Sequence, residues 1–94
     1  MGLKYKVHPQ VTLEDVAGCY FLISYGETVG LPYLREINET GAFYWELAVA
    51  GHDLDSMLAI ASDFYQEPYE RLKKGALAFF CNLMENGYVF LDET

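Results

Sequence analysis

Two periodicities divide the chain near Asn38. Before it, Val11 and Leu13 alternate with polar neighbours, which predicts a strand over about Gln10 to Glu14. Val16-Ala17-Gly18 then reads as a turn. Cys19 to Tyr25 is β-branched and aromatic with one polar residue, the pattern of a central strand. Gly26-Glu27-Thr28 turns the chain, and Tyr33 to Ile37 follows as a third strand. Pro32 at its start has no N–H to give a ladder, which suits an edge.

After Asn38 the period lengthens to that of a helix. Asn38 is a good N-cap and Glu39 suits the positive end of the helix dipole. Phe43, Tyr44, Leu47 and Ala48 recur at helical spacing until Gly51 stops the helix. Asp53 caps a second helix with a wide apolar stripe of Leu54, Met57, Leu58, Ile60, Ala61, Phe64 and Tyr65. Pro68, at the favoured first helical position, starts a third. Its inner side carries Tyr69, Leu72, Ala76, Phe79, Phe80, Leu83 and Met84, and Gly87 ends it after Asn86. Tyr88 to Leu91 adds a short terminal strand. The expected fold is α+β and winged-helix-like: a three-stranded antiparallel N-terminal sheet, then three helices, in one domain spanning residues 1–94. The helix pair joined at Gly51-His52 resembles a helix-turn-helix.

Charge removes the DNA-binding role such a fold suggests. The 94 residues carry 14 Asp and Glu against 6 Lys and Arg, a formal net charge of −8. Nucleic-acid and anionic-membrane binders draw on clustered cations. Asp53 through Glu67, which includes the helix that would enter the major groove, contains no cation and carries Asp53, Asp55, Asp63 and Glu67. Cations of the second half all fall between Arg71 and Lys74, either a solvated helix face or a small basic patch for an acidic segment, with Arg35 as a fourth member.

Candidate chemistry is thin. Cys19 and Cys81 stand far apart without a CxxC pairing, and the expectation is two reduced, buried thiols in a cytoplasmic protein. His8 and His52 are isolated, so no metal is expected. Asp53 and Asp55 form a DxD pair that helix capping already explains. Cys81 with His52 as a nucleophile pair, and Glu36 with Glu39 as paired carboxylates, lack any placement in a cleft. No stretch of about 18 apolar residues is present, and Met1 to Pro9 lacks the apolar core of a signal peptide. The chain is expected not to be an enzyme and to need no cofactor.

The most specific stretch is Ile37-Asn38-Glu39-Thr40-Gly41-Ala42, followed by Trp45-Glu46-Leu47 and Gly51. It resembles the "LNETGA…W.L..G" signature of the PqqD-like family. Phe79 and the Leu83-x-x-x-Gly87 ending are similar to that family's third helix, and Asp15-Val16-Ala17-Gly18 to its "r.VaG" strand connection. The likeness runs from about Val11 to Phe90. It implies a RiPP recognition element: a non-catalytic peptide chaperone that binds the leader of a ribosomally made precursor peptide and presents it to a modifying enzyme, frequently a radical SAM protein. Such domains serve many peptide pathways, pyrroloquinoline quinone biosynthesis among them.

In that family the leader adds as a strand beside the third strand, in a groove against the third helix. The implied peptide contacts are Tyr33, Leu34, Arg35 and Glu36 on the strand, and Arg71, Leu72, Lys73, Lys74, Gly75, Ala76 and Leu77 on the helix. Where this chain has Gly75 and Ala76 the family often has Asp and a larger aliphatic residue. That departure implies a wider, less acidic groove in which Lys73 and Lys74 favour acidic leaders. Trp45 and Phe43 are expected in the core. The alternative is a winged-helix interaction or regulatory module that forms a homodimer through the same edge.

Overall fold

The computed structural model describes residues 3–25 and 33–92; the expected turn at Gly26-Glu27-Thr28 and the Pro32 start lie outside them. Five strands and three helices follow one another as β1 (Tyr5–Val7), β2 (Val11–Val16), β3 (Cys19–Ser24), β4 (Leu34–Ile37), α1 (Glu39–Val49), α2 (Leu54–Tyr65), α3 (Tyr69–Glu85) and β5 (Val89–Leu91). The fold is α+β with antiparallel pairing throughout these strands.

The strands form two sheets, where the hydrophobic pattern predicts one N-terminal sheet. Strands β2, β3 and β4 make the expected three-stranded meander. The second sheet joins β1 to β5, with Tyr5 opposite Leu91 and Val7 opposite Val89. Nothing in three residues with a single buried side chain signals β1 locally; its partner lies at the other end of the chain. The N-terminal segment is further tied down by Leu54, whose N–H donates to the Leu3 carbonyl at 2.6 Å.

β2 extends two residues beyond the predicted end, because Glu14 faces solvent and Asp15 sits at the sheet's margin, so neither needs burial. The turn is thereby cut to Ala17-Gly18, with φ of 53° and 85°, and Val16 pairs with Cys19. Two positive φ values suit the twist of a tight hairpin, and the Asp15 carboxylate accepts from the Gly18 N–H at 3.2 Å. Ala17 bears the cost of the left-handed region, about 1 kcal/mol. Ala17→Asn, which creates the preferred Asn-Gly turn, should therefore raise the melting temperature by roughly 4 °C. Thermal unfolding followed by circular dichroism measures it, and no gain would mean the turn is not strained.

Helix ends follow the sequence closely. Asn38 Oδ1 accepts from the Gly41 N–H at 2.7 Å and Asp53 Oδ1 from the Ser56 N–H at 2.8 Å. The latter bond holds the Asp53 carboxyl below its ordinary pKa. Gly51 and Gly87 take the positive φ that ends a helix. Pro68 is the N-cap of α3 and not its first helical residue, since its extended ψ of 139° places the start at Tyr69.

The core gathers where the helices meet the sheets: Trp45, Met57, Leu58, Phe80, Leu83, Tyr88 and Leu22 are almost fully buried. Phe80 stacks on Tyr5 with centroids 4.3 Å apart, joining α3 to β1. Trp45 belongs to this core as expected, while Phe43 is half-buried and packs on its edge. The stripe of α2 is narrower than predicted. Leu54, Met57, Leu58 and Ala61 are buried, but Phe64 remains 65% exposed and Ile60 36%. Cys19 and Cys81 are free thiols, but both are exposed where burial was expected. Cys19 opens β3 on the outward-facing side of the sheet, and Cys81 follows Phe80 on the solvent side of α3. Among the described residues, no helix is long and apolar enough to cross a membrane.

Candidate peptide-binding groove

Strand β4 is the last strand of its sheet, and nothing among the described residues pairs with its outer edge. The Ser24 N–H donates to the Tyr33 carbonyl at 3.0 Å. Hydrogen-bonded and non-bonded pairs alternate in an antiparallel ladder, so Arg35 opposite Leu22 and Ile37 opposite Tyr20 also bond inward. Leu34 and Glu36 therefore direct their backbone N–H and C=O groups to the open edge. Their side chains are exposed on the outer face of the sheet, whereas Ile37 is buried and anchors the strand. Tyr33, just before the strand, is 70% exposed.

Arg35 connects this edge to α3. Its guanidinium donates to Asn82 Oδ1 and lies over the Tyr88 ring, 5.3 Å from the centroid. Burial pushes the Tyr88 phenol up, and the Arg35 charge partly opposes that shift. A cavity of about 290 Å³ opens where β4 ends and α1 begins, walled by α3. Its apolar surface comes from Tyr44, Leu72, Ala76 and Phe79, and its polar rim from Asn38, Thr40 and Arg71. Burial raises the pKa of Tyr44, keeping a neutral phenol beside the cavity.

The shape of this cavity depends on Gly41. A Cβ there would stand 2.8 Å from Cε1 of Phe79 and 3.1 Å from the capping oxygen of Asn38. The absence of a side chain lets the Phe79 ring lie directly on the first turn of α1. Asn38 and Gly41 of the sequence signature thus have one local purpose, a capped helix start against which α3 closes.

The expected helix contacts divide by face. At about 100° per residue, Arg71, Leu72, Gly75 and Ala76 share the side of α3 that lines the cavity, together with Phe79. Ala76 points at the core and is fully buried, while Gly75 is exposed at the lip, with no atom beyond its own stretch of helix within 4 Å of where a Cβ would stand. Lys73 and Leu77 occupy the opposite flank, half-buried, and Lys74 is exposed between the two. Neither lysine lines the cavity. Arg71 is the cation at its rim, 3.3 Å from Glu67 in a highly exposed pair that contributes little to stability.

Asn38, Thr40, Gly41, Tyr44, Phe79 and Asn82 were not among the contacts expected from sequence. Asn38 and Gly41 stood within the signature, but capping alone accounted for Asn38, and Phe79 read as part of an apolar face. Elsewhere, His8 accepts through Nδ1 from the Gln10 N–H at 3.0 Å. No group of three or more His, Cys, Asp or Glu positioned for a metal occurs among the described residues. What this surface offers chemically is an open strand edge for backbone hydrogen bonds beside apolar rings and an arginine. No family model, curated protein or solved structure matches the chain.

Proposed function

We propose that this chain is a non-catalytic peptide-binding module of the PqqD-like, winged-helix kind, which takes the leader of a ribosomally made precursor as a strand along β4. The single observation that carries this reading is the open β4 edge, with the backbone groups of Leu34 and Glu36 turned outward; β4 itself does not line the apolar cavity, but Asn38, directly after it, does, together with α1 and α3. An extended peptide there gains affinity from the backbone groups of Leu34 and Glu36, and specificity from the side chains it places against Leu72, Phe79 and Tyr44. Arg35 and Arg71 supply positive charge beside a groove on an otherwise acidic protein, which favours acidic leaders. The bound precursor is then presented in the cytoplasm to a modifying enzyme, of the radical SAM class in the resemblance that motivates the reading. Lys73 and Lys74 act at most at long range, because α3 turns them off the groove.

Hydrogen exchange measured with synthetic extended peptides, acidic and basic, tests the proposal. Binding should slow exchange at Leu34 and Glu36 while leaving the inward-bonded Arg35 unchanged. Arg71→Glu should weaken an acidic leader by roughly tenfold and flatten its salt dependence. Protection confined to other elements, or none with any peptide, overturns the reading. The exposed Tyr33 and Leu34 also favour a second one, pairing of two copies edge to edge. A dimer in size-exclusion chromatography that no peptide dissociates would select it.

A further inference from the structure

On the side of α1 turned away from the groove, the apolar stripe of α2 ends in rings that have no core to enter. Phe64, 65% exposed, stacks on Phe43 at 5.0 Å, and Tyr65 meets both rings edge-on, 5.4 Å from Phe43 and 5.0 Å from Phe64. With Tyr20 of β3 these rings surround a cavity of about 120 Å³. That is too small for a drug-sized molecule, yet large enough for a side-chain head group. Its remaining wall is Ala42 with the carboxylates of Glu39 and Glu46, and none of the lining residues is basic.

Three sources of negative potential converge on this cup. Glu39 and Glu46 project from one face of α1, seven residues apart and so nearly aligned along the axis. Asp15 lies opposite Tyr20 in the β2–β3 ladder. Asp15 chiefly, with partial burial and the two glutamates adding, pushes the Tyr20 phenol above its ordinary pKa. The carboxyl end of α2, where Phe64 and Tyr65 sit, has no basic residue in its last turn to neutralise the helix dipole. Aromatic faces bind cations through their quadrupole, and nearby carboxylates add charge attraction and hydrogen-bond acceptors.

The geometry points to this cup as a docking site for an exposed arginine or lysine side chain of a partner protein, separate from the peptide groove. Glu39, Ala42, Phe43 and Glu46 lie on one face of α1, whereas Gly41 and Tyr44 face the groove on the other. Both surfaces can therefore be occupied at once. A module that delivers a peptide needs such a second contact to hold the recipient, but the cup's charge and shape stand without that role.

Titration of the full chain with N-acetyl-arginine methylamide, followed by NMR, tests the assignment. Ring protons of Tyr20, Phe43, Phe64 and Tyr65 should shift together, and the neutral citrulline analogue should bind about tenfold more weakly. Phe64→Ala and Glu46→Gln should each weaken the arginine probe at least about threefold. Both positions are exposed at the surface, and an unchanged thermal melt would show that the fold persists. Equal binding of the citrulline analogue, shifts mapping to Asp53 and Asp55 instead, or full affinity in Phe64→Ala would overturn the site. Tetramethylammonium binding more tightly than the arginine probe would overturn the partner assignment in favour of a small free cation. No peptide enters these measurements, so failure here is distinct from failure of the groove.

Discussion

Phe80→Ala should lower the unfolding free energy by about 3–5 kcal/mol, the range for a fully buried phenylalanine. Small proteins have only about 5–15 kcal/mol in total, so the variant will be near the margin of folding. The reason for choosing Phe80 over other core residues is its position. It is fully buried, stacks on Tyr5 with planes 7° apart, and meets Phe79 edge-on at 5.2 Å and Tyr44 at 6.2 Å. Tyr5 is the buried residue of β1, and a two-stranded sheet has little stability of its own. Removing the Phe80 ring therefore loosens β1 and β5 as well as leaving a cavity. Urea unfolding should show a lower midpoint, and hydrogen exchange should show β1 and β5 losing protection first. Phe80→Leu, which keeps an apolar side chain, should fall between wild type and alanine. A loss below about 1.5 kcal/mol in Phe80→Ala would mean that the ring is not what ties β1 to α3.

Gly41→Ala should change stability little and peptide binding a great deal. The methyl group gains up to about 1 kcal/mol of helix propensity, less so close to a helix start. Against that, crowding Phe79 costs about 1–3 kcal/mol. The opposed terms leave a net loss on the order of 1 kcal/mol. Because the atoms met at 2.8 and 3.2 Å are the far edge of the Phe79 ring, the ring is what moves, and the space open to it is the groove cavity. Leader affinity should drop at least tenfold, about 1.4 kcal/mol, measured by calorimetry. Adding Phe79→Leu should restore part of the binding, since a smaller side chain leaves room for the new methyl. Unaltered affinity in Gly41→Ala would show that the glycine is a packing feature alone. Gly75→Ala is the contrast: with open space around its Cβ, it should raise stability by about 0.5–1 kcal/mol.

These two glycines mark how far sequence reading reached. Gly75 stood among the expected peptide contacts and Gly41 in the family-like signature, but only the packing of α3 on α1 separates a glycine that admits a ring from one with open space at its Cβ. The lysines are similar. Clustering of Arg71, Lys73 and Lys74 is visible along the chain, yet which of them lines the cavity depends on the rotation of α3 about its axis. That rotation is set by Ala76, Phe80 and Leu83 entering the core. It takes Arg71 to the groove rim and Lys73 to the far flank. The expected burial of the two thiols failed for a comparable reason. Cysteine is usually buried, but strand register and helix phase put Cys19 and Cys81 outside. The exposed Phe64 repeats the lesson on α2, where an apolar residue at the right spacing meets the rings of Phe43 and Tyr65 but is not covered by the core.

Local signals determined a great deal by sequence alone. Asn38, Asp53, Gly51 and Gly87 set helix ends through their own side chains and backbone freedom, needing no distant partner. Alternation in Val11 to Leu13 and the run from Cys19 placed the meander. Tertiary structure alone decided the rest: the pairing of β1 with β5, the contact of Phe79 with Gly41, the reach of Arg35 to Asn82, and the convergence of three elements into an acidic aromatic cup. Each joins residues far apart in the chain, and such contacts arise from shape and burial in three dimensions, which residue spacing does not encode.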